Sequence, residues 1–218
     1  HGTTLATNAI IERKGAKTAL LVTEGFRDSV EMAYENRFDQ YDLEIERPTP
    51  LVPRFLRWPV TERIGPKGQV WTALDEGTVR ALLPKLKAEK IESVAVGFLH
   101  SYANPANERR VAEILSAARP DLSISLSSEV CPEVREYERL STTSANAYVQ
   151  PLMSSYLLAL EKELESIGVT CPLLLMMSSG GVTTLATGIK FPIRLIDSGP
   201  AGGAILARDI AAICGAKN

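Results

Sequence analysis

The chain has 218 residues, 45% apolar and 23% charged, an ordinary globular composition with length for one large domain or two small ones. Its net charge of −2 comes with scattered rather than striped Lys and Arg, so there is no electrostatic footprint for nucleic acid or an anionic membrane. Even the longest apolar runs, such as Leu173 to Met177, fall far short of the ~20 residues that cross a bilayer. No signal- or transit-peptide composition lies at the start. Cys131, Cys171 and Cys214 are far apart and odd in number, which argues against a disulfide framework or zinc site and for a reducing cytoplasm. The abrupt ends at His1 and Asn218 read as those of a piece excised from a larger protein.

Taken in order, Thr3 or Thr4 caps a helix over 5–14, with Gly15 as its left-handed terminator. Lys17 to Thr23 is a buried strand, and Gly25 precedes a short helix over 26–33. Residues 34–58 read as irregular, with Pro48, Pro50 and Pro53 closing off regular structure. Val60 to Ile64 and Gln69 to Leu74 flank Gly65-Pro66-Lys67-Gly68 as a hairpin. Asp75 caps a helix carrying Val79, Leu82, Leu83 and Leu86, kinked at Pro84 at a cost of about 3 kcal/mol in an unadapted site. Val94 to Leu99 is a strand. Asn104-Pro105 opens a helix whose buried stripe is Val111, Ile114, Leu115 and Ala118.

Leu122 to Leu126 is a further strand. Glu133 to Ser166 is helical with a break near Pro151, and its second part carries Leu152, Tyr156, Leu160, Leu164 and Ile167 on one apolar face. Glu161-Lys162-Glu163 is a solvated face. Leu173 to Met177 is a strand running into Ser178-Ser179-Gly180-Gly181. Arg194 to Asp197 leads through a Gly/Pro turn to a helix patterned by Ile205, Leu206, Ile210 and Ile213. Strands alternating with helices give an α/β fold with a largely parallel sheet and a β-hairpin insert. A composition shift near Ser127 to Pro132 divides region 1–130 from region 131–218.

Two Gly-rich corners carry the chemistry that spacing can suggest. In the last, Gly199 allows a tight turn, Pro200 suits the first helical position, and Gly202 and Gly203 leave room for a backbone or a ligand. Such a helix N-terminus suits an anion, and packing alone also explains it. Ser178-Ser179-Gly180-Gly181 offers hydroxyls and free N–H groups, or only turn chemistry. His1-Gly2-Thr3-Thr4 sets polar groups at a helix start, as caps or as an anion site. His100, with Tyr102 and Asn104 nearby, follows a strand end, where α/β proteins often place ligands; a surface or capping role is the alternative. No Ser-His-Asp set can be assembled, and neither histidine has metal-ligand spacing.

His1-Gly2-Thr3-Thr4-Leu5-Ala6-Thr7-Asn8 with the residues to Gly15, then Ala16 to Asp28, resemble the opening region of the hydantoinase A/5-oxoprolinase family. So do Glu136-Tyr137-Glu138-Arg139 with Asn146-Ala147-Tyr148 and Pro151, then Ser178-Ser179-Gly180-Gly181, then Ser198-Gly199-Pro200-Ala201-Gly202-Gly203. The resemblance spans nearly the whole chain. It implies a lobe of an actin-like ATPase built on ribonuclease H-like sheets, with ATP and Mg²⁺ between lobes. The implied reaction is ATP-driven opening of a cyclic amide such as a hydantoin or 5-oxoproline, by phosphorylation of the amide oxygen and attack of water. A hydantoinase B-type subunit, or a fused domain, is the implied partner.

Both Asp-x-Gly-Gly-Thr hairpins that hold phosphate and Mg²⁺ in such proteins are missing. The catalytic residues and metal ligands therefore go unnamed, and this stretch is expected to be inactive alone. By resemblance, Ser178, Ser179, Gly180, Gly181, Ser198, Gly199, Pro200, Gly202 and Gly203 are nucleotide, cleft or hinge candidates. His1, Thr3, Thr4, Asn8 and Arg139 are substrate or cleft candidates. An ATP-dependent ketone carboxylase subunit and an actin-like nucleotide-binding assembly module are the alternatives.

Overall fold

The computed structural model describes residues 1–34, 41–46 and 48–215. In chain order the elements are α1 (Leu5–Ile11), β1 (Thr18–Thr23), α2 (Ser29–Met32), β2 (Arg57–Val60), β3 (Arg63–Ile64), β4 (Val70–Thr72), α3 (Glu76–Arg80), α4 (Leu83–Ala88), β5 (Ser93–Gly97), α5 (Ala106–Ala118), β6 (Ser123–Leu126), α6 (Ser127–Val130), α7 (Glu136–Ser166), β7 (Leu174–Met176), β8 (Val182–Thr184), α8 (Leu185–Lys190) and α9 (Ser198–Ile213). They form two compact units: a sheet unit, 16–148, and a split unit, 1–15 with 149–218. Residues 127–132, where composition shifts, lie within the sheet unit.

In the sheet unit β1 and β5 are buried at every residue, as strands covered on both faces of a parallel sheet must be. The order is β2-β1-β5-β6, with every neighbour parallel. β2 overturns part of the irregular reading of 34–58, of which 35–40 and 47 lie outside the described residues. It pairs Leu20 with Arg57 and Thr23 with Val60 at the sheet edge. That is where Pro59 costs no ladder bond. The expected hairpin forms, but shorter, as β3 and β4; Val60, expected in its first strand, belongs to β2. The hairpin is tied down by His100, whose Nδ1–H donates to the Ile64 carbonyl at 2.9 Å, and by Asn104, whose amide donates to the Gly68 carbonyl at 2.8 Å. His100 thus serves as a structural anchor.

Asp75 caps α3 by accepting from the Gly77 N–H at 2.8 Å. Pro84 does not kink one helix; it sits in the first turn of a second, α4, where no N–H is lost. Along α5 Val111, Ile114 and Leu115 are buried as expected, but Ala118, in the last turn, is exposed. The stripe extends instead to Glu108, which is fully buried. Its Oε1 accepts from the Phe98 N–H (2.9 Å) and the Ser127 hydroxyl (2.6 Å), and its Oε2 accepts from the Ser128 N–H (2.9 Å).

In the split unit α1 ends at Ile11, and the left-handed residue behind it is Arg13 (φ 56°), not Gly15. The Lys14 N–H donates to the Ala9 carbonyl and the Arg13 N–H to the Ile10 carbonyl, the paired bonds of a Schellman end. α7 runs unbroken through Pro151. Ala147 and Val149 before the proline and Met153 and Leu157 after it are buried. Met153 and Leu157, rather than the Leu152–Ile167 set, make the buried face; Ile167 is 71% exposed. Ser178-Gly181 is the turn of a β7–β8 hairpin. The final corner joins a 3-10 turn, Pro192–Leu195, to α9. Asp197 (φ 58°) makes that turn in place of Gly199, and Pro200 is the third helical residue, still within the turn that lacks N–H partners.

Glu62 is also buried, at 3% exposure. The Thr23 hydroxyl and the Asn107 amide (2.8 Å) donate to its carboxylate. Burial pushes its pKa above the ordinary glutamate value, helped by the Glu108 charge and opposed by those two donors and by Arg63. The fold therefore favours the protonated form. The stability it contributes is present below the ordinary glutamate pKa and is lost as pH rises through the raised folded value. Urea midpoints of the wild type should fall relative to Glu62→Gln as pH is raised from mildly acidic to neutral. A difference that stays constant over that range would count against a titrating buried carboxyl.

Candidate functional site

Thirteen of the fourteen candidates fall in the split unit. The chain at residue 1 is extended: the His1 nitrogen donates to the Leu174 carbonyl at 2.9 Å, and the Met176 N–H donates to the His1 carbonyl at 2.8 Å. Residue 1 thus takes the edge of β7 opposite β8. The His1 Nε2 and the Tyr156 hydroxyl on α7 are hydrogen-bonded at 2.9 Å. Thr3, rather than Thr4, supplies the side chain at the helix start, its Oγ1 accepting from the Leu5 N–H at 3.1 Å. Thr4 makes no side-chain capping bond, and the side chain of Asn8 is exposed.

The two Gly-rich corners adjoin this entry. Ser178 spends both its N–H and its hydroxyl on the Arg194 carbonyl (2.9 and 3.2 Å). Ser179 is exposed, and Gly180 takes φ +83° in the hairpin turn, the left-handed region that suits glycine. The Asp197 N–H donates to Thr7 Oγ1 on α1 at 3.3 Å, which joins the beginnings of α1 and α9. Ser198, the first residue of α9, is 1% exposed and its hydroxyl has no partner. A Cβ built on Gly2 would lie 3.8 Å from that hydroxyl. The same construction on Gly199 or Gly203 meets nothing within 4 Å, and on Gly202 only ordinary contact with Met176. Protein backbone therefore does not press on these glycines. The first turn thus sets exposed Gly199 and Pro200 next to a buried Ser198 hydroxyl that has no partner.

Arg139 lies in the other unit, fully buried. Its guanidinium donates to the carbonyls of Glu133 (2.7 Å) and Phe98 (2.9 Å) and stacks over Tyr102 at 5.5 Å. Burial lowers its pKa, while the charge of Glu108 acts in the opposite sense. Sequence reasoning missed Tyr156, Thr7 and Asp197, for which no local signal existed. Glu108 had one: it lies three residues before Val111, in phase with the buried stripe. Among the described residues no group of three or more His, Cys, Asp or Glu side chains is placed to hold a metal ion, and no helix is long and apolar enough to cross a membrane.

The model of the hydantoinase/oxoprolinase N-terminal region matches residues 1–118, and that of hydantoinase/oxoprolinase matches residues 139–218. The chain belongs to the hydantoinase/oxoprolinase family. Within the family, caprolactamase subunit alpha of Pseudomonas jessenii is 36% identical over 203 residues, covering 92% of this chain and 29% of the relative. The crystal structure of that organism's ATP-dependent caprolactamase has a TM-score of 0.90 at 35% identity, over 98% of this chain and 31% of its own. The 5-oxoprolinase of Saccharomyces cerevisiae is 35% identical over 94% of this chain and 18% of the relative. Acetone carboxylase beta subunit of Xanthobacter autotrophicus is 31% identical over 97% of this chain and 31% of the relative. A nucleotide-free acetone carboxylase structure has a TM-score of 0.84 at 30% identity, covering 98% of this chain and 32% of that one. The chain thus spans less than a third of the length of these relatives.

The sorting of glycines in this family member can be tested by thermal or urea unfolding. Gly180→Ala should lose about 1–2 kcal/mol, because a side chain is strained at its positive φ. Gly203→Ala, in open space on a helix, should gain up to about 1 kcal/mol. The same sign for both would overturn the assignment.

Proposed function

We propose that this chain is part of the ATP-using subunit of a cyclic amidohydrolase of the hydantoinase/5-oxoprolinase type. The names of the relatives support the reaction class, and the observation that carries the site is the buried, unpartnered Ser198 hydroxyl in the first turn of α9. ATP, when bound, supplies a phosphoryl group that turns the oxygen of an unreactive amide into a leaving group for attack by water. The N–H groups and dipole of the first turn of α9 hold negative charge, and the Ser198 hydroxyl donates to it. The Gly180–Gly181 turn approaches α9 at Ile205, and the Tyr156 hydroxyl fixes the ring of His1. The open glycines of α9 fit a connecting helix at a hinge. No carboxylate cluster among the described residues fits Mg²⁺, so no step is given to it.

Relatives named as alpha and beta subunits support a partner subunit, which we take to be of the hydantoinase B type or a fused domain. The division into regions 1–130 and 131–218 and a cytoplasmic location belong to the same proposal. A second reading, an ATP-dependent ketone carboxylase subunit, is favoured by the 31% identity to acetone carboxylase beta subunit.

Phosphate release by the complete natural protein decides between them. Release that requires a hydantoin, 5-oxoproline or a lactam supports the first reading, and release that requires a ketone with bicarbonate supports the second. Nucleotide binding without substrate stimulation sinks both. Ser198→Ala removes a hydroxyl that has no protein partner, so the melting temperature should hold or rise while kcat/KM falls at least about tenfold. Unchanged kinetics would remove Ser198 from the site.

A further inference from the structure

A half-open pocket of about 180 Å³ lies in the sheet unit, lined by α2, the 48–52 segment and α7. Two independent observations mark it as a place for a ligand. The first is its lining: Val30, Leu51, Val52 and prolines face Tyr137, Ser141 and Ser144, with Thr49 the remaining polar group and no charged side chain among the described lining residues. The second is Ser144, which is 5% exposed and whose hydroxyl has no partner. Its neighbours on the same helix show what a hydroxyl there ordinarily does. Ser141 donates to the Tyr137 carbonyl (2.7 Å), Thr143 to Arg139 (2.6 Å) and Ser155 to Pro151 (3.0 Å). Ser144 forgoes that bond, which leaves a buried donor with nothing to receive its proton.

Two sets of contacts brace the elements around the pocket. Tyr34 packs its ring edge against Tyr137 at 5.1 Å and donates its hydroxyl proton to Glu138 at 2.6 Å. The buried Arg57 donates to the Val52 carbonyl at 2.9 Å and pairs with Glu31 at 2.7 Å. An apolar cavity of about 150 Å³ accommodates one benzene-sized ring. Among the described lining residues no charged group would pair with a carboxylate or ammonium, so this lining favours a neutral ligand.

We propose that this cavity is a binding site for a small neutral ring of about six atoms whose carbonyl oxygen accepts the Ser144 hydroxyl proton. The site is separate from the α9 cluster and does not rest on the ATP-coupled reading. Its test reads binding alone, so failure of either leaves the other standing.

The complete natural protein, with labelled methyl groups, is titrated with ε-caprolactam, cyclohexanone and 5-oxoproline while the resonances of Val30, Leu51 and Val52 are followed. Either neutral ring should shift them saturably, and the ratio of the two affinities separates a lactam from a ketone as the preferred carbonyl. The anionic 5-oxoproline should bind at least about tenfold more weakly. Ser144→Ala should weaken the neutral rings about tenfold, one hydrogen bond's worth of affinity, with the free spectrum otherwise unchanged. Leu51→Trp, which fills the cavity, should abolish the shifts and serves as a second variant should Ser144→Ala perturb the fold. Any one of three results overturns the proposal: no shift at roughly 10 mM of either ring, shifts that survive both substitutions, or equal binding of 5-oxoproline.

Discussion

At the carboxyl edge of the parallel sheet, strand β5 stops and its last peptide groups lose their ladder partners. Phe98, the residue just beyond, is fully buried, so neither its N–H nor its carbonyl can turn to water. Glu108 receives the first and Arg139 donates to the second. Opposite charges on α5 and α7 thus clamp the two polar groups of one residue. Glu108 also receives the Ser127 hydroxyl, which in turn accepts from Ser101, and the Ser128 N–H at the start of α6. The clamp therefore joins β5, the β6–α6 corner, α5 and α7. Such a buried pair gains little over an apolar substitute, but loss of one member strands the other without solvent. Strand β1 ends in a smaller version of the same device: the Leu99 N–H donates to Thr23 Oγ1 (2.9 Å), and Thr23 donates to Glu62.

Elements whose signal is local were legible in the sequence. The inner strands are continuous apolar runs, the Gly65-Pro66-Lys67-Gly68 hairpin has its turn residues, and Asp75 sits where a cap must. Elements that depend on partners far along the chain were not. β2 contains Pro59 and follows three prolines, and only its edge position beside β1 makes it a strand. The ends of α1 and α4 put Arg13 and Lys90 in left-handed conformations (φ 56° and 53°) where glycine is the ordinary signal, whereas α7 does end at a glycine, Gly168 (φ +84°). Pro151 weighs against a continuous helix until the buried residues flanking it are known.

At the candidate site the residue types were legible and their states were not. Sequence alone presents all glycines alike, but the structure separates two kinds. A Cβ on Gly97 would run into Leu140, and one on Gly188 into Leu175, so those two are packing glycines. Gly199 and Gly203 face open space, and their absent side chains answer to no neighbour within their unit. Likewise Ser178 and Ser198 belong to similar Ser-Gly motifs, yet one hydroxyl is committed to a carbonyl and the other is buried and unspent. Gly2, nearly two hundred residues earlier in the chain, lies close to the second hydroxyl, a neighbour that the local sequence around Ser198 does not signal.

The split unit also sets the order of events while the chain is being made. Residue 1 pairs with Leu174 across a separation of 173 residues. At a synthesis rate of about 5–20 residues per second, the first segment waits roughly ten to thirty seconds for its strand partner. The sheet unit is continuous in sequence and can close during that interval, before β7 has left the ribosome. It then serves as a finished spacer that shortens the effective loop the first and last segments must close, a cost that would otherwise grow with the logarithm of its length. Until then the face of α1 that carries Ala6 and Ala9 lacks the packing it has in the folded unit, so the growing chain exposes apolar surface that the folded unit covers.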